Sequence, residues 1–213
     1  MTSTGASQNI ITGTSAAATL ENVDNILDLS GQLGNGELTL TNDAGGIIES
    51  NGGTLILNTG SNAISNAGTI QGSIKVNSDI SNSGTLKTNG GTLAALGAVT
   101  GGNAIIDGGT LEFGATSSTN VNFATNGTLK LDASSSNNGH GFTGSISGFG
   151  GADQIDLSDI GFAAGTTLGY TPNSNNSGGT LTVSDGMHTA NLHCWVSIRR
   201  RASSRQATAR AAR

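Results

Sequence analysis

Ser50-Asn51-Gly52-Gly53-Thr54-Leu55, Ser65-Asn66-Ala67-Gly68-Thr69-Ile70 and Ser81-Asn82-Ser83-Gly84-Thr85-Leu86 share one pattern, Ser-Asn-x-Gly-Thr-[Leu/Ile], at spacings of 15 and 16 residues. Looser copies surround them. Gly-Thr-Leu returns at Gly91, Gly109, Gly127 and Gly179, and Gly36-Glu37-Leu38 stands one interval before Gly53. Self-similarity at a fixed period marks a chain built from stacked units, none of which buries its own apolar face alone.

Each turn is followed by apolar residues two apart: Leu38 and Leu40, Leu55 and Leu57, Ile74 and Val76, Leu111 and Phe113, Leu129 and Leu131, Leu181 and Val183. The residues between are Thr39, Ile56, Lys75, Glu112, Lys130 and Thr182. All but Ile56 are polar, the alternation of strands with one buried face.

An interval of roughly 15 to 18 residues, at about 3.3 Å per extended residue, closes a path of about 50 to 60 Å, the girth of one coil of a β-helix. Coils stacked about 4.8 Å apart pair each strand with its equivalent in the next coil. Residues 20 to 132 then make about six coils, a rod of about 30 Å, with Asn and Gly at the corners supplying the positive φ of the turns. The rival is an antiparallel sandwich, for which the short Gly84 to Gly91 spacing reads as a hairpin. A sandwich gives no reason for near-identical corners, so the expected fold is an all-β parallel β-helix (β-solenoid).

Composition agrees. Thirty-four Gly, one Pro, 11% charged residues and 3% aromatics describe a chain full of turns and poor in helix-forming Glu, Lys and Arg. Low charge with few aromatics is also compatible with disorder, but the regular aliphatic alternation argues against it. Past residue 132 the texture changes. Ser134-Ser135-Ser136-Asn137-Asn138-Gly139 reads as a loop, and Phe142, Phe149, Phe162 and Tyr170 follow it. Larger side chains suit a cap over the last open coil, with strands expected at 142–147, 153–157, 166–170, 179–184 and 187–192. The chain thus divides into a disordered N-terminal segment (1–16), solenoid repeats (17–135), a β cap (136–192) and a basic tail (193–213).

Charge is split between these parts. All six Arg fall at or after Arg199, leaving Lys75, Lys87 and Lys130 against fourteen carboxylates before it, a body of −11 followed by a tail of +6. Such a body repels nucleic acid, so no specific nucleic-acid partner is expected. Cys194 is the single cysteine, so no intrachain disulfide forms. Met1-Thr2-Ser3-Thr4-Gly5 lacks the cationic start and apolar run of a signal peptide, and no stretch is apolar enough to span a membrane as a helix.

Gly97-Ala98-Val99-Thr100-Gly101-Gly102, Ile106-Asp107-Gly108-Gly109-Thr110-Leu111-Glu112-Phe113, Gly127-Thr128-Leu129-Lys130-Leu131-Asp132, Asp156-Leu157-Ser158-Asp159-Ile160 and Gly179-Thr180-Leu181-Thr182-Val183-Ser184-Asp185-Gly186 resemble, in that order, segments of very large bacterial β-strand-repeat, adhesin-like surface proteins of the α-proteobacterial type. The likeness covers roughly residues 17 to 192. It implies an extracellular or cell-surface role in adhesion or matrix, with surface polysaccharide or other cells as partners through a longer parent protein. At His193 it stops. The family pattern continues after Thr-Ala-Asn-Leu with an apolar run, whereas here Cys194-Trp195-Val196-Ser197-Ile198 leads into Arg. Codons permitted for His193 to Arg213, read one register over, can spell Leu-Leu-Gly-Gln-Tyr-Ser-Ala-Ala-Ser-Phe, which fits the family. The tail is therefore expected to be a non-native, disordered product of a frameshift.

No catalytic residue, metal ligand or cofactor site is expected. Asp153, Asp156 and Asp159 raise a calcium-dependent module as one alternative, but the Gly-Gly-x-Gly-x-Asp nonapeptide is missing. Asp43 and Asp185 read as turn residues. His140, His188 and His193 have no metal-ligand spacing. Neither a nucleophile elbow nor a phosphate loop is present, and Gly148, Gly150 and Gly151 read as turns. A second alternative is a polysaccharide-active β-helix enzyme. Asp107 and Glu112 flank one strand as a possible carboxylate pair, yet the three scattered lysines are too few to grip an acidic sugar.

Overall fold

The structure, a computed structural model, describes residues 9–15, 17–134 and 141–195. These contain strands and turns and no helix. The strands stack in parallel as a β-solenoid, in three ladders to which successive coils contribute in turn.

The first ladder is a separate sheet of β2 (Thr19–Asn22), β5 (Thr39–Asn42), β7 (Ile64–Asn66), β9 (Ile80–Asn82) and β12 (Val99–Thr100), carried on by single bridges from Val99 to Ser117 and from Ser117 to Phe142. The second holds β3 (Ile26–Asp28), the first parts of β6 (Ile47–Asn58) and β8 (Thr69–Val76), then β10 (Thr85–Lys87), β13 (Asn103–Ile106), β15 (Asn120–Phe123) and β17 (Ser145–Ser147). The third holds β1 (Ile10–Ile11), β4 (Gly31–Gly34), the second parts of β6 and β8, β11 (Thr92–Ala95), β14 (Thr110–Phe113), β16 (Thr128–Leu131) and β18 (Gln154–Leu157). Because β6 and β8 run through the corner between them, the second and third ladders form one continuous sheet.

Register places like above like. One inward column of the second ladder reads Leu27, Ile48, Ile70, Leu86, Ala104, Val121, Ile146 and finally Cys194. A column of the third reads Leu33, Leu57, Val76, Ala95, Phe113, Leu131 and Leu157. The apolar pairs read from the sequence point into the core except Leu181 and Val183, which are half-buried beside a groove, and one core cluster runs from Leu33 to Cys194. Full burial of each Leu or Ile contributes about 1.5–3 kcal/mol. Small and large side chains compensate along the columns. Phe113 lies over Ala95, and its ring stacks on Phe142 at 6.1 Å between centroids, while Phe123 meets Phe149 edge-on at 5.5 Å.

The coils are less uniform than the motif spacing suggests. Steps along the column from Leu27 to Ile146 are 21, 22, 16, 18, 17 and 25 residues. The three near-identical motifs do not all occupy one corner. Asn66 and Asn82 are register partners on the first ladder, whereas Ser50 to Leu55 lies within β6, where residues 51–54 bulge out opposite the single residue Ser73. The same turn chemistry therefore serves two corners, and the 15-residue spacing between Ser50 and Ser65 is not a coil length.

Nor do the motif asparagines supply positive φ. Among the described non-glycine residues only Asn35, Asn89 and Asn176 adopt it. The Gly84 to Gly91 interval is not a hairpin: β10 and β11 follow one another around a corner at Asn89 and Gly90, each paired in parallel with neighbouring coils.

All five strands expected past residue 142 form, but only part of the region is a separate cap. β17 and β18 continue the parallel stack. β19 (Thr167–Pro172), β20 (Gly179–Ser184) and β21 (Thr189–Trp195) form an antiparallel meander whose last strand returns to pair in parallel with β17. The strand also passes the point where the family likeness ends, since His193, Cys194 and Trp195 align with Ser145, Ile146 and Ser147. At the other end Ile10–Ile11 pairs with β4 inside the segment read as disordered. The remaining expectations of disorder, for 1–8 and for the arginine-rich 196–213, fall outside the described residues.

Candidate functional site

Four buried asparagines close the strands of the first ladder: Asn22, Asn42, Asn66 and Asn82. Each side-chain amide donates to the carbonyl oxygen of the next, from Asn22 to Asn42, Asn42 to Asn66 and Asn66 to Asn82, at 2.8 Å in every case. Their remaining donors reach backbone carbonyls of the corner, such as Gly46 and Thr69 from Asn42 and Gly68 from Asn66. The turn glycines beside them pack backbone against backbone. A Cβ on Gly84 would stand 2.1 Å from the Gly68 carbonyl oxygen, and one on Gly68 would stand 2.2 Å from that of Gly46. This constellation is a structural spine. Asn22 and Asn42 lie outside the Ser-Asn-x-Gly-Thr pattern, although Thr19-Leu20-Glu21-Asn22 and Thr39-Leu40-Thr41-Asn42 share a Thr-Leu-x-Asn ending that marks them.

Outward columns carry the polar chemistry. On the second ladder Asp28, Glu49, Gln71 and Lys87 stack, and the Gln71 amide donates to Glu49 at 2.6 Å. On the third, Lys75, Ala94, Glu112, Lys130 and Asp156 stack. Lys130 Nζ lies 2.6 Å from Glu112 Oε1 and 3.0 Å from Asp132 Oδ1, and hydrogen bonding to these two carboxylates raises its pKa. Burial pushes Asp132 up, but hydrogen bonds from Lys130 and Ser158 outweigh it and hold the group below its ordinary value. Lys87 Nζ meets Asp107 Oδ2 at 2.9 Å and, chiefly through that hydrogen bond, holds Asp107 below the usual carboxylate range. Asp107 and Glu112, the possible carboxylate pair, are thus each engaged by a separate lysine.

The three candidate calcium ligands are not gathered. Asp153 accepts the backbone N–H groups of Gly127 and Gly150 at 3.2 and 2.7 Å, closing a turn; Asp156 faces solvent; Asp159 accepts the Ser134 hydroxyl. Among the described residues no three His, Cys, Asp or Glu come together as a metal requires. Asp43 and Asp185 sit in turns. The Asp43 carbonyl accepts Gly46 N–H, and the Asp185 carboxylate accepts the N–H groups of His188, Gly161 and Met187, which hold it well below its ordinary value. His188 Nδ1 lies 3.3 Å from Asp185, and His193 Nδ1 lies 3.4 Å from the Thr180 hydroxyl; His140 falls outside the described residues. Cys194 points into the core, where burial pushes its thiol up.

Two grooves flank the C-terminal meander. A polar one of about 450 Å³ is lined by Asn120, Thr143, Ser145, Thr180, His193 and Trp195. An apolar one of about 560 Å³ opens at the end of the core beside Ile155 and Leu157. Among the described residues no helix is long and apolar enough to cross a membrane. No known family model, no curated protein and no solved structure matches this chain.

Proposed function

We propose that the chain is a structural and adhesive repeat module of a surface or secreted bacterial protein of the β-strand-repeat type, acting outside the cell without catalysis. The observation that carries this reading is the outer surface of the stack. Coil after coil presents Ser, Thr, Asn, Gln and ion-paired charges in aligned columns, a long hydrophilic surface on a rigid rod. Asp107 and Glu112, the carboxylates that hydrolysis would call on, are paired with Lys87 and Lys130. The polar groove beside β21 offers hydroxyl and amide groups of the kind that hydrogen-bond sugar hydroxyls, which favours a surface polysaccharide as partner.

One binding and hydrolysis experiment tests the reading. The protein is expected to be retained on beads coated with bacterial surface polysaccharide, to be released by the same polysaccharide in solution, and to generate no new reducing ends. Retention on none of a broad panel counts against adhesion, and reducing ends would instead favour the polysaccharide-active enzyme. Calorimetric titration with calcium tests the calcium-dependent alternative, for which a saturable heat is required.

The frameshift belongs to the same reading. β21 directs Leu192 and Cys194 inward, and the shifted frame writes Leu at the position of Cys194, equally suited to that column. Sequencing the gene across codon 193 decides it.

A further inference from the structure

The end of the stack is uneven. The second ladder continues past β17 through β21, β20 and β19, whereas the third stops at β18. The meander therefore stands as a wall above the last complete coil, and its apolar side chains Leu168, Leu181 and Val183 face Phe149, Ile155 and Leu157 across the 560 Å³ groove. β18 lies along this groove and, among the described residues, pairs with β16 alone; on its other backbone edge the Leu157 carbonyl accepts the N–H of Ile160, and no described strand lies beside it. Its inward residues Ile155 and Leu157 continue the core columns of Leu129 and Leu131. Its outward residue Asp156 is exposed and, among the described residues, has neither a hydrogen bond nor an ion pair, because Lys130 beneath it is held by Glu112 and Asp132.

We propose that this groove binds an extended peptide of another protein, which adds to β18 as a parallel strand. The occupant carries two aliphatic side chains two residues apart, seated over Ile155 and Leu157 against the meander wall, with a lysine or arginine between them pointing outward to Asp156. Three features define that chemistry. The open edge offers main-chain hydrogen bonds, the groove accepts alternate apolar side chains, and the unpaired carboxylate extends the alternation of charge from Glu112 through Lys130 and Asp156 to a cation. In the stretch after Trp195, Val196 and Ile198 have Ser197 between them and Ala209 and Ala211 flank Arg210 with methyl groups alone, so neither sets two large aliphatic side chains around a cation as the occupant does.

The strand on the opposite edge of β18 provides the probe: a capped peptide Gly-Thr-Leu-Lys-Leu-Asp, the sequence of residues 127–132. Titrated into the full chain and followed by amide NMR, it is expected to give saturable shifts centred on Ile155–Leu157 and Val183. A peptide with both leucines replaced by serine should give none. Asp156→Lys, an exposed change, should weaken the lysine peptide about fivefold and favour a peptide with glutamate in place of lysine, while Leu168→Ser on the exposed wall should weaken both. Absence of saturable shifts, shifts centred elsewhere, or a charge exchange that fails to restore binding overturns the proposal. So do shifts at the same amides that depend on protein concentration without peptide, because they would assign the groove to a second copy of the chain.

Discussion

A buried asparagine in the first ladder satisfies its neighbours as well as itself, which makes each member more costly to lose than a lone hydrogen bond. Asn66 accepts from Asn42 and donates to Asn82, all three nearly free of solvent. Asn66→Ala strands a donor below and an acceptor above, a cost of about 1–3 kcal/mol. Asn82 is the last of the row, so Asn82→Ala strands fewer groups and should cost less. The adjoining glycines are constrained by distance. Gly84→Ala drives a Cβ to 2.1 Å from a backbone carbonyl and should lower the urea midpoint strongly, whereas Gly52→Ala, with nothing within 4 Å, should leave stability within about 0.5 kcal/mol. Urea titrations of these four variants check the order, and equal effects at Gly52 and Gly84 would contradict the two-corner assignment. Here the sequence was only half legible. It showed that Asn and Gly recur but not what they do, because an Asx-containing turn and a buried amide row draw on the same residue types.

Strands tolerate no slippage and corners tolerate a good deal, which explains how coils of unequal length stack without losing register. The corner joining the second ladder to the third has three residues at 107–109, four at 124–127 and six at 148–153 in successive coils, while the flanking strands stay aligned residue for residue. Inserting Gly-Ser between Thr125 and Asn126, both exposed, only lengthens a corner already variable and should cost less than about 1 kcal/mol. Inserting one residue between Val121 and Asn122 reverses the facing of all that follows in β15, turning Phe123 out of its contact with Phe149 and off its register partner Ile106. The expected outcome is near-native circular dichroism and melting for the first variant and a large loss of both for the second. The period-2 alternation that defines these strands was plain in the sequence, since it reports burial directly. Coil length was not, because corner residues face solvent and their number leaves no mark on the pattern.

At the level of the whole molecule, stability comes from contact between successive coils, so the natural unit of removal is one coil and not a stretch of arbitrary length. Lys87 and Ile105 are register partners, and so are Leu93 with Leu111 and Ile74 with Leu93. Deleting residues 87–104, eighteen in all, joins Leu86 to Ile105 within one continuous strand. It also lets β14 settle on β8, with Leu111 over Ile74, and brings Ser117 over Ile80 on the first ladder. The lost core is modest, chiefly Leu93, Ala95, Val99 and Ala104, and the strands on either side remain in phase, with Phe113 coming over Val76. The shortened chain should therefore fold with the same β spectrum, melt at a lower temperature, and give a rod about 4.8 Å shorter by small-angle scattering. Deleting nine residues from the same stretch, 87–95, has no such solution, since it sets an inward strand of one ladder against a corner of another. A nine-residue deletion as stable as the full-coil deletion would mean that the coils are not the unit of assembly.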